Sequence, residues 1–314
     1  MIRPYVVRQL LALCMVSVSP LALAVEGGVG RPITGQQVFS NAGIVPPEPG
    51  WVMSLTSIWY DGDLKGNSEV PIVGALSTGL DMQVSYTMAN FTHVWDTGKG
   101  RWNYASAIGV PVQYTDITAS VTGPRGRTLG TSDSGTQFAD MLVTPIAAGY
   151  HFDELNHIAF SLPIYVPTGA YNDNRLANPG QNTYTFMPTV AFTHLDGKGG
   201  ELTLESGLEF YTENDVTDYQ NGDLFTLDAL WTHGFGNGWA AGMAAGYIQQ
   251  INDDSGSASS GFRGRSVGAG PVVGWTGKFA DAEANISARW VPEFDTKNRP
   301  EGNGFSVNLT LAFF

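Results

Sequence analysis

Residues 101–115 read Arg-Trp-Asn-Tyr-Ala-Ser-Ala-Ile-Gly-Val-Pro-Val-Gln-Tyr-Thr, and their period of two decides the fold. Trp102, Tyr104, Ser106, Ile108, Val110, Val112 and Tyr114 share one face. Asn103, Ala105, Ala107, Gly109, Pro111, Gln113 and Thr115 share the other. Rings stand at both ends of the apolar face, with aliphatic side chains between them. A strand that crosses a bilayer is built this way, because rings favour the two interfaces and aliphatic groups the hydrocarbon.

The alternation returns at Ile158–Val166, Tyr184–Phe192, Leu202–Phe210, Ala284–Trp290 and Phe305–Phe313. A soluble sandwich also alternates, but it places Lys, Glu and Arg on its solvent face. Here the second face is mostly Thr, Ser, Ala, Gly and Asn, which suits the crowded interior of a narrow barrel. Composition agrees. Charged residues make up 14% of the 314, against roughly 25% in soluble proteins. Mean hydropathy is nevertheless only −0.06, as expected when one apolar and one small polar face are averaged. Aromatics at 11% and the low charge argue against disorder. Twenty-nine acidic against 16 basic residues argue against a nucleic-acid partner.

The connections count the strands. Short turns are expected at 96–100, 153–156, 196–200, 236–238 and 280–281. Longer polar loops are expected at 61–79, 116–135, 168–181, 213–222, 252–264 and 295–302. Six long loops alternating with five short turns predict an all-β, antiparallel up-and-down transmembrane β-barrel of about 12 strands over residues 50–314. Its short turns and both termini face the periplasm. The chain ends in Phe313-Phe314, with the apolar parity on Phe313.

Residues 1–24 read as a secretory leader. Arg3 and Arg8 precede an apolar run, Leu10–Val18, and Ala22-Leu23-Ala24 forms a small-residue cleavage site. Cleavage would take the net charge from −13 to −15 and remove Cys14, the only cysteine. No disulfide, thiolate metal site or lipid-bearing cysteine would remain. Residues 25–49, rich in Gly and Pro, are expected either in the periplasm or folded into the lumen as a plug.

From Val166 to Pro271 the chain carries a series of motifs. Pro167-Thr168-Gly169-Ala170-Tyr171 is followed by Asn178-Pro179-Gly180-Gln181-Asn182, then by Thr217-Asp218-Tyr219-Gln220-Asn221-Gly222. Gly246-Tyr247, Gln250-Ile251-Asn252-Asp253-Asp254-Ser255-Gly256 and Gly270-Pro271 complete the set. In these the sequence resembles the phenol meta-pathway (MetA-pathway of phenol degradation) outer-membrane family, whose members often sit beside genes for aromatic degradation. The resemblance extends over Pro49–Phe314. It implies an outer-membrane channel or uptake role for small, often aromatic compounds.

Five residues are lumen and selectivity candidates. Glu205 and Glu209 share a strand face with Glu201, Asp228 lies on the next strand, and Glu283 and Arg289 lie further round. Acidic rings select cations in pores. Interior pairing, with Arg289 neutralising Glu283, would equally fill the space. Pro111, Pro145, Pro163 and Pro188 fall inside four consecutive strands of a barrel that has no edges to hold them. They are lateral-opening candidates, weakening one wall, or else bulges that curve it.

Catalysis finds little support. None of the five histidines has Ser two positions on, and Asp253-Asp254 has no partner His expected nearby. Asn252, Asp253 and Asp254 with Glu213, Asp215 and Asp218 could hold a hard divalent cation, but acidic solvated loops are the simpler reading. No cofactor or catalytic residue is expected. The expectation is a channel, not an enzyme, for passive uptake of small hydrophobic or aromatic compounds. Its partners are outer-membrane lipid and lipopolysaccharide, the barrel-assembly machinery and a small solute. The alternatives are an outer-membrane lipid-modifying enzyme, or a structural or adhesive barrel with a filled lumen.

Overall fold

A computed structural model describes residues 30–64, 70–72, 75–77, 79–98, 100–122, 128–256, 263–280 and 282–314. The expected leader at 1–24, residues 25–29, and Lys99 and Asp281 of two expected turns lie outside the described residues. Among the described residues, nine strands of the barrel are continuous: β1 (Gly50–Asp63), β2 (Gly79–Val94), β3 (Trp102–Thr122), β7 (Gly200–Tyr211), β8 (Leu224–Gly234), β9 (Trp239–Gln250), β10 (Arg265–Phe279), β11 (Ala282–Lys297) and β12 (Glu301–Phe313), while Val70–Ile72 and Ala75–Ser77 pair as a small separate hairpin. Three are interrupted. β4 is Thr128–Phe138 followed by Met141–His151, β5 is Asn156–Ser161 followed by Ile164–Val166, and β6 is Thr185–Phe186 followed by Thr189–Leu195.

Each strand pairs antiparallel with its sequence neighbours, and β12 returns to β1 in an unbroken register from Trp51↔Phe313 to Asp63↔Glu301. The sheet is therefore a closed 12-stranded barrel. Closure follows from the solvent: a strand in hydrocarbon finds acceptors only on another strand. Trp102, Ile108, Val112 and Tyr114 are exposed on the outer face of β3, while Asn103, Ala105, Thr115 and Ile117 are buried inside. Ring contacts mark the turn end of the wall, Trp51 with His93 at 4.8 Å and Trp102 with Tyr150 at 4.9 Å. Trp59 and Phe305 meet at 5.7 Å toward the loop end.

Two expected loops are corrected. Residues 116–135 form mostly strand, a hairpin in which β3 runs to Thr122 and β4 starts at Thr128. Their polar composition suggested a loop, yet the period of two continues, with Ile117 and Ala119 buried between Thr118 and Ser120. At 295–302 the chain makes a tight turn, because β11 reaches Lys297 and β12 resumes at Glu301. Glu293 closes it by accepting from the Gly302 amide at 2.9 Å. Long and short connections thus do not alternate strictly. At the turn Asp196–Gly200, the Lys198 and Gly200 amides, both at 2.7 Å, hold the Asp196 carboxyl below its usual range.

Residues 30–45 run inside the barrel, from Gly30 beside Tyr211 and Leu224 near the loop end to Val45 beside His151 near the turn end, and 47–49 are exposed. The plug explains part of the glycine content. A Cβ on Gly246 would lie 2.0 Å from the Gly35 amide nitrogen, and one on Gly149 would lie 2.7 Å from Val45 Cβ. Only a wall without side chains at these points lets a second backbone pass.

Gly246→Val should therefore push the plug from the wall while leaving the ring intact. The expected loss is about 1–3 kcal/mol, as for other overpacked sites. Unheated gels should still show a folded barrel, and planar-bilayer conductance should rise.

Candidate solute cavity and the interrupted wall

The plug has no regular secondary structure, so its backbone amides need acceptors from the wall. Acidic side chains supply them. Gln37 N donates to Asp228 at 2.8 Å and Asn41 N to Glu201 at 2.7 Å, while the Ser40 hydroxyl also reaches Glu201 at 2.6 Å. Gly43 N donates to Thr193 at 3.0 Å. Thr34 donates to Glu293 at 2.5 Å. In the other direction Arg289 and Arg299 donate to the Gly35 and Pro32 carbonyls, at 3.1 and 3.0 Å.

The candidate lumen residues separate into groups. Glu205 and Asp228 are register partners across β7 and β8. Arg289 lies within electrostatic reach of both and sits over the Phe39 ring at 5.6 Å. Glu209 is buried and accepts from Tyr211 Oη. Glu283 is exposed at the turn end, opposite Lys278. The expected pairing of Arg289 with Glu283 is corrected: six residues along one strand is about 20 Å.

Among the described residues, two sizeable spaces lie beside the plug. One, of about 410 Å³, lies against β1–β7 and has an apolar wall including Ile58, Met82, Met88 and Leu142. Glu205 and the plug's Phe39 also line it. The second, of about 550 Å³, opens at the turn end and is bounded by Ser40, Glu201, Leu230 and Arg289.

All four candidate prolines lie along one belt of interrupted pairing. Pro111 faces the break at Ala139-Asp140, and its carbonyl accepts from Ala139 N at 3.1 Å. Pro145 sits where β4 carries an extra residue against β3, and Ser106 Oγ donates to its carbonyl at 2.6 Å. Pro163 and Pro188 occupy the breaks in β5 and β6. Single bonds cross there, Met187 N to Pro163 O at 2.8 Å and Leu208 N to Pro188 O at 3.2 Å. Above the belt, β5 and β6 continue for only three and two residues. Ala139, Leu142, Pro163 and Met187 present the inner side of this belt to the 410 Å³ cavity.

Two polar residues that the sequence reading passed over hold this region. Asp140 is buried in the β4 break, pairs with Arg31 of the plug at 2.9 Å and accepts from Gly169 N and Gln181 N, each at 2.9 Å. Arg31 also donates to Thr185 at 2.8 Å and stacks on Tyr165 at 4.4 Å. One plug residue thus touches the upper pieces of β5 and β6 and the break in β4. A lone Asp in the apolar run Phe138–Ile146 was the available signal.

The motif-bearing loop 167–184 covers the cavity, with Asn178, Pro179 and Gln181 in its lining. It is fastened beyond the bilayer, where Arg175 forks onto Asp133 at 2.9 and 3.0 Å and Leu176 is buried against Tyr60 and Ile117. In the next loops Asp254 accepts from Tyr219 Oη, Gly222 N and Gln250 Nε2 at 2.6–2.7 Å, and Asp253 pairs with Arg263. These protein donors occupy both oxygens of Asp254 and one of Asp253. His151 meets His157 at 2.7 Å and the Val45 carbonyl at 3.1 Å, and His194 meets Asn156 at 2.8 Å, all near the turn end.

Arg175 holds the Asp133 carboxyl below its usual range. The pair therefore stabilises the cover fully above the ordinary carboxylate range and is lost as pH falls through the lowered value. Arg175→Ala should raise the open-channel current at neutral pH. The wild type should show that rise only on acidification below about pH 4, read in planar bilayers.

The barrel is similar to known structures. A COG4313 outer membrane channel from Pseudomonas putida F1 superposes with a TM-score of 0.70 at 14% identity, covering 88% of this chain and 100% of that one. The β domain of the Bordetella autotransporter BrkA gives 0.48 at 13% identity, covering 84% and 99%. A deletion mutant of the monoaromatic hydrocarbon channel TodX gives 0.45 at 8% identity, covering 93% and 97%. No curated protein matches the chain. The family model described as "Putative MetA-pathway of phenol degradation" matches residues 62–309, and the chain belongs to that family.

Proposed function

We propose that the protein is an outer-membrane channel for passive uptake of small hydrophobic or aromatic compounds. The observation that carries this reading is the 410 Å³ cavity, whose wall is mainly apolar side chains, with Arg31, Asp140, Glu205, Glu293 and Arg299 interspersed, and includes the inner side of the proline belt. Burying a single ring of roughly 150–250 Å² at about 25 cal/mol/Å² is worth about 4–6 kcal/mol before association costs, enough for loose, reversible occupancy. The family and the fold shared with an outer membrane channel support it.

An apolar solute in this cavity has two ways on. The axial way is obstructed by residues 30–45. The sideways way crosses the belt at Pro111, Pro145, Pro163 and Pro188, where few backbone hydrogen bonds must part, and ends in hydrocarbon. We assign the sideways route to apolar solutes. The cavity disfavours the filled, purely structural barrel. The histidine contacts near the turn end read as capping, which gives the lipid-modifying enzyme no feature of its own. Export with cleavage after Ala24, insertion by the barrel-assembly machinery and contact with lipopolysaccharide complete the reading.

Proteoliposomes should take up toluene-sized aromatics faster than protein-free vesicles, and sugars of similar mass slowly. Pro163→Val with Pro188→Val restores two ladder donors and should cut aromatic uptake about tenfold while the barrel stays folded. Undiminished uptake in that variant removes the sideways route. Equal uptake with and without protein removes the channel.

A further inference from the structure

The two spaces beside the plug are separated by a thin septum. Phe39 faces the 410 Å³ cavity, Arg289 faces the 550 Å³ space, and the guanidinium lies over the ring at 5.6 Å. Around that contact stand Glu205 and Asp228, register partners on adjacent strands. Glu205, half-buried, lines the cavity and, among the described residues, receives no hydrogen bond. Asp228 is 1% exposed; its Oδ2 accepts from Gln37 N, while its Oδ1 is buried without a partner. Arg289 donates to the Gly35 carbonyl instead of pairing with either carboxylate. Glu201 then lines the far space.

A cation stacked on an aromatic face beside carboxylates is the arrangement that receives an organic ammonium group. Here the protein's own guanidinium occupies it. Two carboxyl groups stand beside one guanidinium, so when both are ionised the septum carries a formal charge of −1 and attracts cations even with Arg289 in place.

We propose that the septum is a gated, axial site for small aromatic cations, arylalkyl ammonium compounds, which pass from the apolar cavity to the turn-end space. The aromatic body of the solute occupies the cavity, and its cationic head meets Glu205. The head displaces Arg289 from Phe39 and continues past Asp228 toward Glu201. A permanent charge cannot use the sideways route into hydrocarbon, so this path serves a solute class that the proline belt excludes. It rests on the cavity of the proposed function but not on the sideways exit.

The test uses the full-length protein in planar bilayers with a gradient of benzyltrimethylammonium chloride, whose charge is independent of pH. The wild type should be more permeable to the cation than to chloride. Glu205→Gln should bring that ratio down to about one. Arg289→Gln should raise it about tenfold, since one positive charge within a few ångströms is gone. A merely structural role would shift both variants the same way. Benzyl alcohol, neutral and similar in shape, should bind the wild-type protein in saturation-transfer NMR. A preference for chloride, no cation current in any form, or equal shifts in both variants overturns the axial cation site while benzyl alcohol binding keeps the cavity. Loss of benzyl alcohol binding in the wild type overturns the cavity itself.

Discussion

A backbone N–H in hydrocarbon must find its acceptor within the protein, and every other feature of this chain is arranged around that constraint. Twelve strands closed on themselves satisfy it almost everywhere. Four prolines remove donors along one belt, and there the ladder thins to single bonds such as Met187 N to Pro163 O. From inside, Arg31 bridges this section, reaching Asp140, Thr185 and Tyr165. A continuous ladder holds strands by many bonds at once, and this section is held by a few side chains.

The interior carboxylates follow from the same constraint. A luminal segment without secondary structure presents bare amides, and Glu201 and Asp228 accept them. Those groups therefore serve packing first. Glu205 differs from its neighbours because no plug amide reaches it, and it faces open space. One strand of β7 thus carries two kinds of acid at a spacing of four residues, one holding the plug and one facing the cavity.

Much of the architecture was legible in residues 101–115, because a membrane wall imposes a period of two with rings at its margins. The proline belt was legible too, since Pro111, Pro145, Pro163 and Pro188 conflict with strands that have no edge. The closures were not. Arg31 meets Asp140 across 109 residues, and Arg175 meets Asp133 across 42. Neither is periodic, so local pattern carries no trace of them. The hairpin at 116–135 was misread because polar composition outweighed an alternation that continues beyond the bilayer. The Arg289–Glu283 pairing that the sequence left open does not form, because both lie on one strand, too far apart to meet.

The plug also sets the order of assembly. Its residues precede β1 in the chain, yet Thr34 bonds Ser266 and Gln36 bonds Ser306, partners 232 and 270 residues away. Those partners do not exist as a surface until β10 and β12 are in place. The first segment of the described chain is thus the last to find its position. It must wait through a slow search for non-local contacts. A barrel that closes before its leading segment has entered would be a folded, membrane-embedded and unplugged isomer of the same protein.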